Sequence, residues 1–401
     1  MATRKILYLS QMYPYPPDGG GKIKTLATLR ALAQEYEIFA VFVSETNPTA
    51  EELYELEKLG IKVKVFCTDK ILASVKDDLA NLAWHFIRGV PHYVFQYTHQ
   101  PTFPYIQSLI KEFKPDVIHV DHLNMAQYLP KQKKQTWILE HHNVETYLYW
   151  TRFWQSPRIT RKAYLFIEML LTFLFEWKTL RRFDHVFAIS DVERRRLTHI
   201  FYVSNVTSQP LVYPATNLKH VPSRRPYILF IGNLGWPPNE DAVEWFLKTI
   251  FPQVVQKLPE TEFHVVGKRQ PRYEKNWPKL KNCILHGYQS SLDPFLSKAD
   301  VFVMPFRMGG GMRIKALTAL SAGIPIVSTP LGVDGFGLTH GKNYLRAKDA
   351  DRFALMITGL FDNKRQRNRL VTAGFNYLQK YHSVEKNKDF LAVYRSVVNF
   401  H

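Results

Sequence analysis

Apolar positions along the chain come as short continuous runs separated by stretches with helical spacing. Lys5–Leu9 (KILYL) is the first run and reads as a buried strand. Thr25–Glu35 then places Leu26, Leu29, Leu32 and Ala33 on one helical face. Ile38–Val43 (IFAVFV) is again continuous, Ala50–Leu59 is helical, and Lys62–Phe66 (KVKVF) alternates. Val117–Val120 and Trp137–Leu139 are further short strands. Val186–Ile189 (VFAI) closes the first half, with Ser190 and Asp191 as caps for a helix at Val192–Leu197. Strands alternating with helices predict an α/β fold with a parallel, doubly wound sheet.

The period stops at Leu211–Pro226 (LVYPATNLKHVPSRRP), which carries three prolines. It restarts with Tyr227–Ile231, a helix at Glu240–Phe251, Glu262–Val266, Cys283–Leu285, Val301–Met304, a helix near Arg313–Ala322, and Ile326–Ser328. Two α/β halves of similar size follow, with a site expected in a cleft between them.

Composition narrows the class. The chain has 401 residues, 46% apolar and 22% charged, and 14% aromatics exclude a disordered chain. Cys67 and Cys283 are the two cysteines, which excludes a disulfide scaffold or a four-cysteine zinc site and suits a reducing compartment. The N-terminus does not read as a signal peptide, and there is no run of 18 apolar residues. The net charge is +18, distributed as −1 over residues 1–130, +7 over 131–220 and +12 over 221–401. That favours an anionic partner. The excess is spread over helical surfaces with no nucleic-acid-binding signature, so nucleic acid is not expected.

Candidate chemistry sits at strand ends. Gly19-Gly20-Gly21 follows the first strand; it reads equally as a tight turn and as a phosphate cradle at a helix start. Met308–Lys315 (MGGGMRIK) follows Val301–Met304 and opens a helix. Its glycines expose backbone donors beside Arg313 and Lys315, an arrangement that holds a diphosphate without a metal. Ile138–Glu145 (ILEHHNVE) gathers His141, His142, Asn143, Glu140 and Glu145 just after a strand. Its histidines can donate hydrogen bonds or act as acid or base. Metal ligation is the other reading, but the spacing matches no standard zinc pattern. Val117–His122 (VIHVDH) supplies Asp121 and His122, for which loop ordering and ligand contact are both open. Ala163–Trp177 is apolar almost all round, with a polar stripe at Glu168, Thr172 and Glu176 and cations at both ends. It reads as a helix under the core or as an interfacial membrane helix.

In order and spacing these segments resemble the retaining glycosyltransferases of family 4, of GT-B fold. The pieces are YLSQMYPYPPDGGGKIKTLATLRALA, LEHHNVE, RRFDHVFAISDVER, FIGNLGWPPNEDAVEWF, HGYQSSLDPFLSKADVFVMPFRMGGGMRIKALTAL and SAGIPIVSTPLGVDGF. The chain is most similar to the branch with a GGGxRxK loop, found in bacterial surface-polysaccharide assembly.

The resemblance implies two Rossmann-like doubly wound domains facing a central cleft. Residues 1–210 would form an acceptor-side domain and 221–385 a nucleotide-sugar donor domain, with 386–401 a helix crossing back to the first. It implies a retaining hexosyltransferase using a nucleotide-diphosphate sugar and a glycan or polyprenyl-linked acceptor. Neither cofactor nor metal is expected. The enzyme would be cytoplasmic and peripheral on an anionic inner membrane face. His142, with His141 as runner-up, would contact the transferring sugar. Arg313 and Lys315 would neutralise the leaving diphosphate, with Gly20 and Gly21 facing it and Gly309, Gly310 and Gly311 assisting. The loop at Tyr288 would hold the nucleobase, and Asn233 and Asp334 would line the site. The family usually has a glutamate where Thr318 stands, to bind the donor ribose. That departure supports a second reading, a catalytically silent glycosyltransferase-like scaffold. A same-fold epimerase is a third, without an acid constellation to support it.

Overall fold

The computed structural model describes residues 3–17, 19–68, 89–213, 216, 218–269, 277–278, 280–309 and 313–399. The chain divides into two compact units. Unit 1 comprises residues 1–212 together with 385–401, and unit 2 comprises residues 213–384.

Unit 1 is built on seven strands: β1 (Lys5–Ser10), β2 (Glu37–Ser44), β3 (Lys62–Cys67), β4 (Val117–Asp121), β5 (Thr136–His141), β6 (His185–Ala188) and β7 (Val206–Ser208). Every pairing is parallel, in the order β3-β2-β1-β4-β5-β6-β7. The sheet therefore does not close with the VFAI run, as the apolar pattern suggested. Val206–Ser208 is too short and polar to announce itself, but it completes the ladder beyond β6. The longer described helices are α1 (Gly20–Leu32), α2 (Ala50–Glu57), α3 (Thr102–Phe113), α4 (Glu145–Gln155), α5 (Ile159–Leu180) and α6 (Asp191–Ile200), with short turns of helix at His92–Phe95 and Leu123–Tyr128. Buried central strands explain the continuous apolar runs: β4 and β5 have no exposed position.

Two expectations shift. The first helix starts at Gly20 and ends at Leu32, not at Thr25–Glu35, so Gly20 and Gly21 form its first turn rather than a loop. The helix read at Val192–Leu197 runs from Asp191 to Ile200, with the Ser190 hydroxyl accepting from Glu193 N at 3.2 Å.

Unit 2 carries β8 (Tyr227–Ile231), β9 (Glu262–Val266), β10 (Cys283–Gly287), β11 (Val301–Met304), β12 (Ile326–Ser328) and β13 (Leu345–Arg346). They are parallel in the order β10-β9-β8-β11-β12-β13. Its helices include α7 (Pro237–Trp245), α8 (Phe251–Lys257), α9 (Lys315–Ser321), α10 (Ala350–Asp362) and α11 (Lys364–His382). The helix expected at Arg313–Ala322 begins two residues later, which leaves Arg313 in the loop before it. Tyr213, in the proline-rich stretch, is tied to this unit by its amide, which donates to His382 O at 2.8 Å.

After unit 2 the chain returns to unit 1 as α12 (Lys386–Asn399). Phe390, Tyr394 and Val398 join the core formed by Ile6, Tyr8, Val117, Ile138 and Phe187. Tyr394 stacks on Phe187, ring centroids 6.1 Å apart, and lies against His119.

Each sheet changes direction once, between β1 and β4 in unit 1 and between β8 and β11 in unit 2. Open α/β sheets place ligands beyond the carboxyl ends of such strands, and the candidate residues of each unit collect there.

Candidate active site

In unit 1, Asp121 ends β4 beside Ser10, which ends β1. The buried Asp121 carboxylate accepts from Ser10 Oγ at 2.8 Å, Thr25 Oγ1 at 2.6 Å and His142 Nε2 at 2.6 Å. His122 Nδ1 lies 3.1 Å from it, and the His122 and His142 rings stack with centroids 3.6 Å apart. Burial works to raise the Asp121 carboxyl, yet His122 and His142 together hold it well below the usual carboxylate range. His122 adopts φ +75°, a strained conformation for a residue with a side chain. Gly21 faces this pair: a Cβ there would meet Met12 Sδ at 2.8 Å and His122 Nε2 at 3.8 Å. Gly20 opens the same helix turn.

A second carboxylate stands next in the ladder, since Asp121 pairs with Glu140 of β5. Two adjacent buried acids repel unless each has its own partner. Glu140 Oε1 binds the buried Lys24 amine at 2.8 Å and accepts from Thr28 Oγ1 at 3.1 Å. Burial works to raise Glu140, and Lys24, a hydrogen bond from His119 and the nearby His142 together outweigh it, bringing the acid down to about 2. The polar residues Lys24, Thr25 and Thr28 of α1 are thus its inward face.

The rest of the HHNVE segment is built differently. His141 is fully buried at the end of β5, with Nε2 3.6 Å from Glu176 Oε1. The two neighbouring histidines thus face different acids, His141 facing Glu176 and His142 facing Asp121. Glu176 caps α4, accepting from the amides of Glu145 at 2.9 Å and Thr146 at 3.0 Å and from the Thr146 hydroxyl. Glu145 is thereby fixed as the first residue of α4. Burial, with Glu176 as a like charge nearby, raises its carboxyl to about 7. Asn143 lies half-buried in the connecting turn.

In unit 2 the two cations come together over aromatic rings. Lys315 Nζ donates to Asn239 Oδ1 at 2.5 Å and lies 5.2 Å from the centroids of both Phe230 and Phe306. The Arg313 guanidinium lies 4.6 Å from Phe306 and 5.0 Å from Trp236, and donates to Met308 O at 3.2 Å. Burial, with Arg313 adding like charge, brings the Lys315 amine down to about 7; burial brings Arg313 to about 10, with Asp334 opposing. Among the described residues, these hydrogen bonds go to uncharged acceptors, Arg313 Nε is buried without a partner, and the charge of Asp334 acts on Arg313. The backbone makes room for these groups. A Cβ at Gly232 would lie 2.7 Å from Lys315 Nζ, and one at Gly309, where φ is +95°, would lie 2.7 Å from an Arg313 nitrogen. Two buried cations close together over aromatic rings have the chemistry to hold an anion.

Around it, Asn233 follows β8, with Oδ1 accepting from Gly235 N at 2.9 Å and its carbonyl from Asn239 Nδ2 at 2.7 Å. The Thr318 hydroxyl lies 2.9 Å from Tyr213 OH. Tyr288 is exposed in the loop after β10. Gly310 and Gly311 lie outside the described residues. Asn239, Trp236, Phe306 and Tyr213 were not anticipated. Phe306 lies two residues before the glycine loop, whereas Trp236 and Asn239 share one distant segment and Tyr213 lies in another, with no local spacing linking them to it.

One group among the described residues has metal-ligand chemistry. Asp121, His122 and His142 each offer a ligand atom, all within 4.8 Å of one another. The hydrogen bond between Asp121 and His142 and the stacked rings fit a charge-relay arrangement of one carboxylate with two imidazoles equally well.

Residues 49–207 match the family model described as Glycosyltransferase Family 4, and residues 225–363 the one described as Glycosyl transferases group 1. A 44.6 kDa protein in the cps region of Klebsiella pneumoniae is 22% identical over 430 residues, covering 98% of this chain and 99% of that protein. Sucrose-phosphate synthase from Thermosynechococcus elongatus has a similar structure, with TM-score 0.70 at 14% identity over 99% of this chain and 100% of that one. Anabaena HepE, solved in complex with UDP, has TM-score 0.65 at 13% identity over 98% and 100%. The fold class is that of the GT-B glycosyltransferases, and each unit matches a glycosyltransferase family model over part of its length.

Proposed function

We propose that this chain, which matches a glycosyltransferase family model in each of its units, transfers a hexose from a nucleotide-diphosphate sugar to a glycan or polyprenyl-linked acceptor, with retention of configuration. The observation that carries the reading is the buried Arg313–Lys315 pair, whose hydrogen bonds among the described residues go to neutral acceptors. Two desolvated cations at a glycine loop stabilise a departing diphosphate far more than they would in water. Arg313 and Lys315 take the diphosphate oxygens, and Gly309 and Asn233 border them. In unit 1, His142, oriented by Asp121, is assigned to the sugar being transferred. Tyr288 is assigned to the nucleobase and Asp334 to the donor side. The neighbours HepE, solved with UDP-glucose, and TarM, solved with UDP, make a uridine diphosphate donor the first to test. The cps-region relative supports a role in polysaccharide assembly. We assign no metal step, because the cation pair meets the diphosphate charge; turnover is expected to survive a chelator. An acceptor on a lipid carrier places the reaction at the inner face of the cell membrane.

The test is a screen of nucleotide sugars for release of nucleoside diphosphate by mass spectrometry, with product anomeric configuration read by NMR. Release with one sugar and retention in the product support the reading. Inversion refutes its stereochemical part.

One observation favours a non-catalytic scaffold: the Thr318 hydroxyl is already engaged by Tyr213. Under that reading nucleotide binds weakly or not at all, and no sugar is released from any donor.

A further inference from the structure

Helix α5 is inside out. Glu168, Thr172, Glu176 and Thr179, at helical spacing, face the interior and are buried. The opposite face presents Ile159, Phe166, Leu170, Leu174 and Trp177; Ile159 is 79% exposed and the other four between 42% and 49%. The inward polarity has a function. Glu176 caps α4, and Glu168 accepts the amide of His92 at 2.9 Å. An acid committed to a neighbour's backbone cannot turn outward, so the apolar side must. The sequence left open a helix under the core or an interfacial membrane helix; its polar stripe at Glu168, Thr172 and Glu176 faces the core.

The apolar face continues onto α4, where Trp154 is 61% exposed and Trp150 packs against it at 5.4 Å between centroids. Arg152, Arg158, Arg161, Lys162, Lys178 and Arg181 flank it along the chain, whereas Arg182 turns inward to Pro130 O and the buried Trp137. The only acids between residues 150 and 182 are Glu168 and Glu176, both buried. Several cations lie against the aromatics of the face, with Lys162 5.6 Å from the Phe153 centroid and the Arg181 guanidinium 4.1 Å from that of Trp177. No helix among the described residues is long and apolar enough to cross a membrane.

We propose that the outer face of α4 and α5 docks on an anionic lipid bilayer, with α5 lying in the interfacial plane. Charge complementarity selects this occupant. A self-complementary contact with a second copy would bring like cations together, whereas tryptophans, an apolar stripe and flanking Lys and Arg match the headgroup–acyl boundary. The inference deepens the reading of a lipid-linked acceptor but needs no donor chemistry.

The test uses the full chain with vesicles of phosphatidylcholine alone or mixed with phosphatidylglycerol. Expected are co-sedimentation with the anionic vesicles only, weakening in high salt, and quenching of tryptophan emission by brominated acyl chains. Each cation removed should weaken partition about fivefold, so Arg158→Gln with Arg161→Gln should cost roughly 25-fold. Leu170→Ser with Leu174→Ser should abolish the quenching, while circular dichroism confirms the fold. Absence of binding to anionic vesicles at low salt, or binding indifferent to both double variants, overturns the proposal. So does a dimer lost in Leu170→Ser/Leu174→Ser without lipid binding, which would assign the face to a second copy. Nucleoside diphosphate binding in lipid-free solution is measured alongside. Its loss with vesicle binding intact sinks the donor reading alone, and the converse sinks only this one.

Discussion

His142 Nε2 donates to Asp121 Oδ1 at 2.6 Å across the carboxyl ends of two neighbouring strands. The carboxylate is itself pinned by Ser10 and Thr25, so the ring it holds has one orientation. A ring fixed at one nitrogen presents the other to a ligand with little rotational freedom to lose.

Replacing His142 by alanine should therefore harm sugar transfer more than donor binding. Loss of one hydrogen bond made to the reacting sugar lowers turnover by roughly ten- to a hundredfold. The cation pair lies in the other unit, so calorimetry should give near-normal nucleoside diphosphate affinity. Equal loss of both, or of neither, contradicts the assignment.

Arg313→Ala and Lys315→Ala should each reduce turnover at least tenfold with the fold retained. A charge-assisted bond to a phosphate oxygen contributes about 1.5–3 kcal/mol. Steady-state kinetics decide it; wild-type rates in both variants would remove the glycine loop from the mechanism.

Donor binding should be coupled to proton uptake. Burial and Arg313 bring the free Lys315 amine to about 7, against an ordinary 10.5. A bound diphosphate favours the charged form and raises it again, so between those limits binding draws in a proton and affinity falls as pH rises above 7. Calorimetry at pH 8 in two buffers of different ionisation enthalpy should report uptake of up to about one proton. Lys315→Arg should bind without it.

Glu145 makes a prediction about stability. Its folded carboxyl sits at about 7 against an ordinary 4.5, so the folded chain holds the extra proton between those values. Its contribution is present below pH 4.5 and is lost as pH rises through 7. Glu145→Gln should therefore raise the melting temperature at pH 8, by roughly 2–4 °C per kcal/mol recovered. Below pH 4.5 the two proteins should melt together.

The strands were legible because parallel strands buried on both faces leave unbroken apolar runs, as in IFAVFV and VFVM. The glycine loop and the HHN segment were legible because their chemistry is contiguous in the chain. What sets their surroundings is not. Lys315 meets Asn239 76 positions away, and Tyr213 meets Thr318 across 105. The inner face of α1 was not legible for a related reason: Lys24, Thr25 and Thr28 meet their partners only when Asp121 and Glu140 arrive from distant strands. The orientation of α5 was ambiguous from sequence alone because two distant backbone ends, at His92 and Glu145, decide it.

The return of α12 makes unit 2, topologically, an insertion within unit 1. During synthesis the seven-stranded sheet is complete long before its last helix exists. The groove that Phe390, Tyr394 and Val398 will fill stays open while the whole of unit 2 is made. The buried surface around Tyr8 and His119, which Tyr394 covers, is exposed to water in that interval. Unit 1 cannot then be obtained as a contiguous fragment. Residues 1–212 expressed alone should aggregate or stay loosely packed, and joining residues 385–401 directly after a short linker should rescue them.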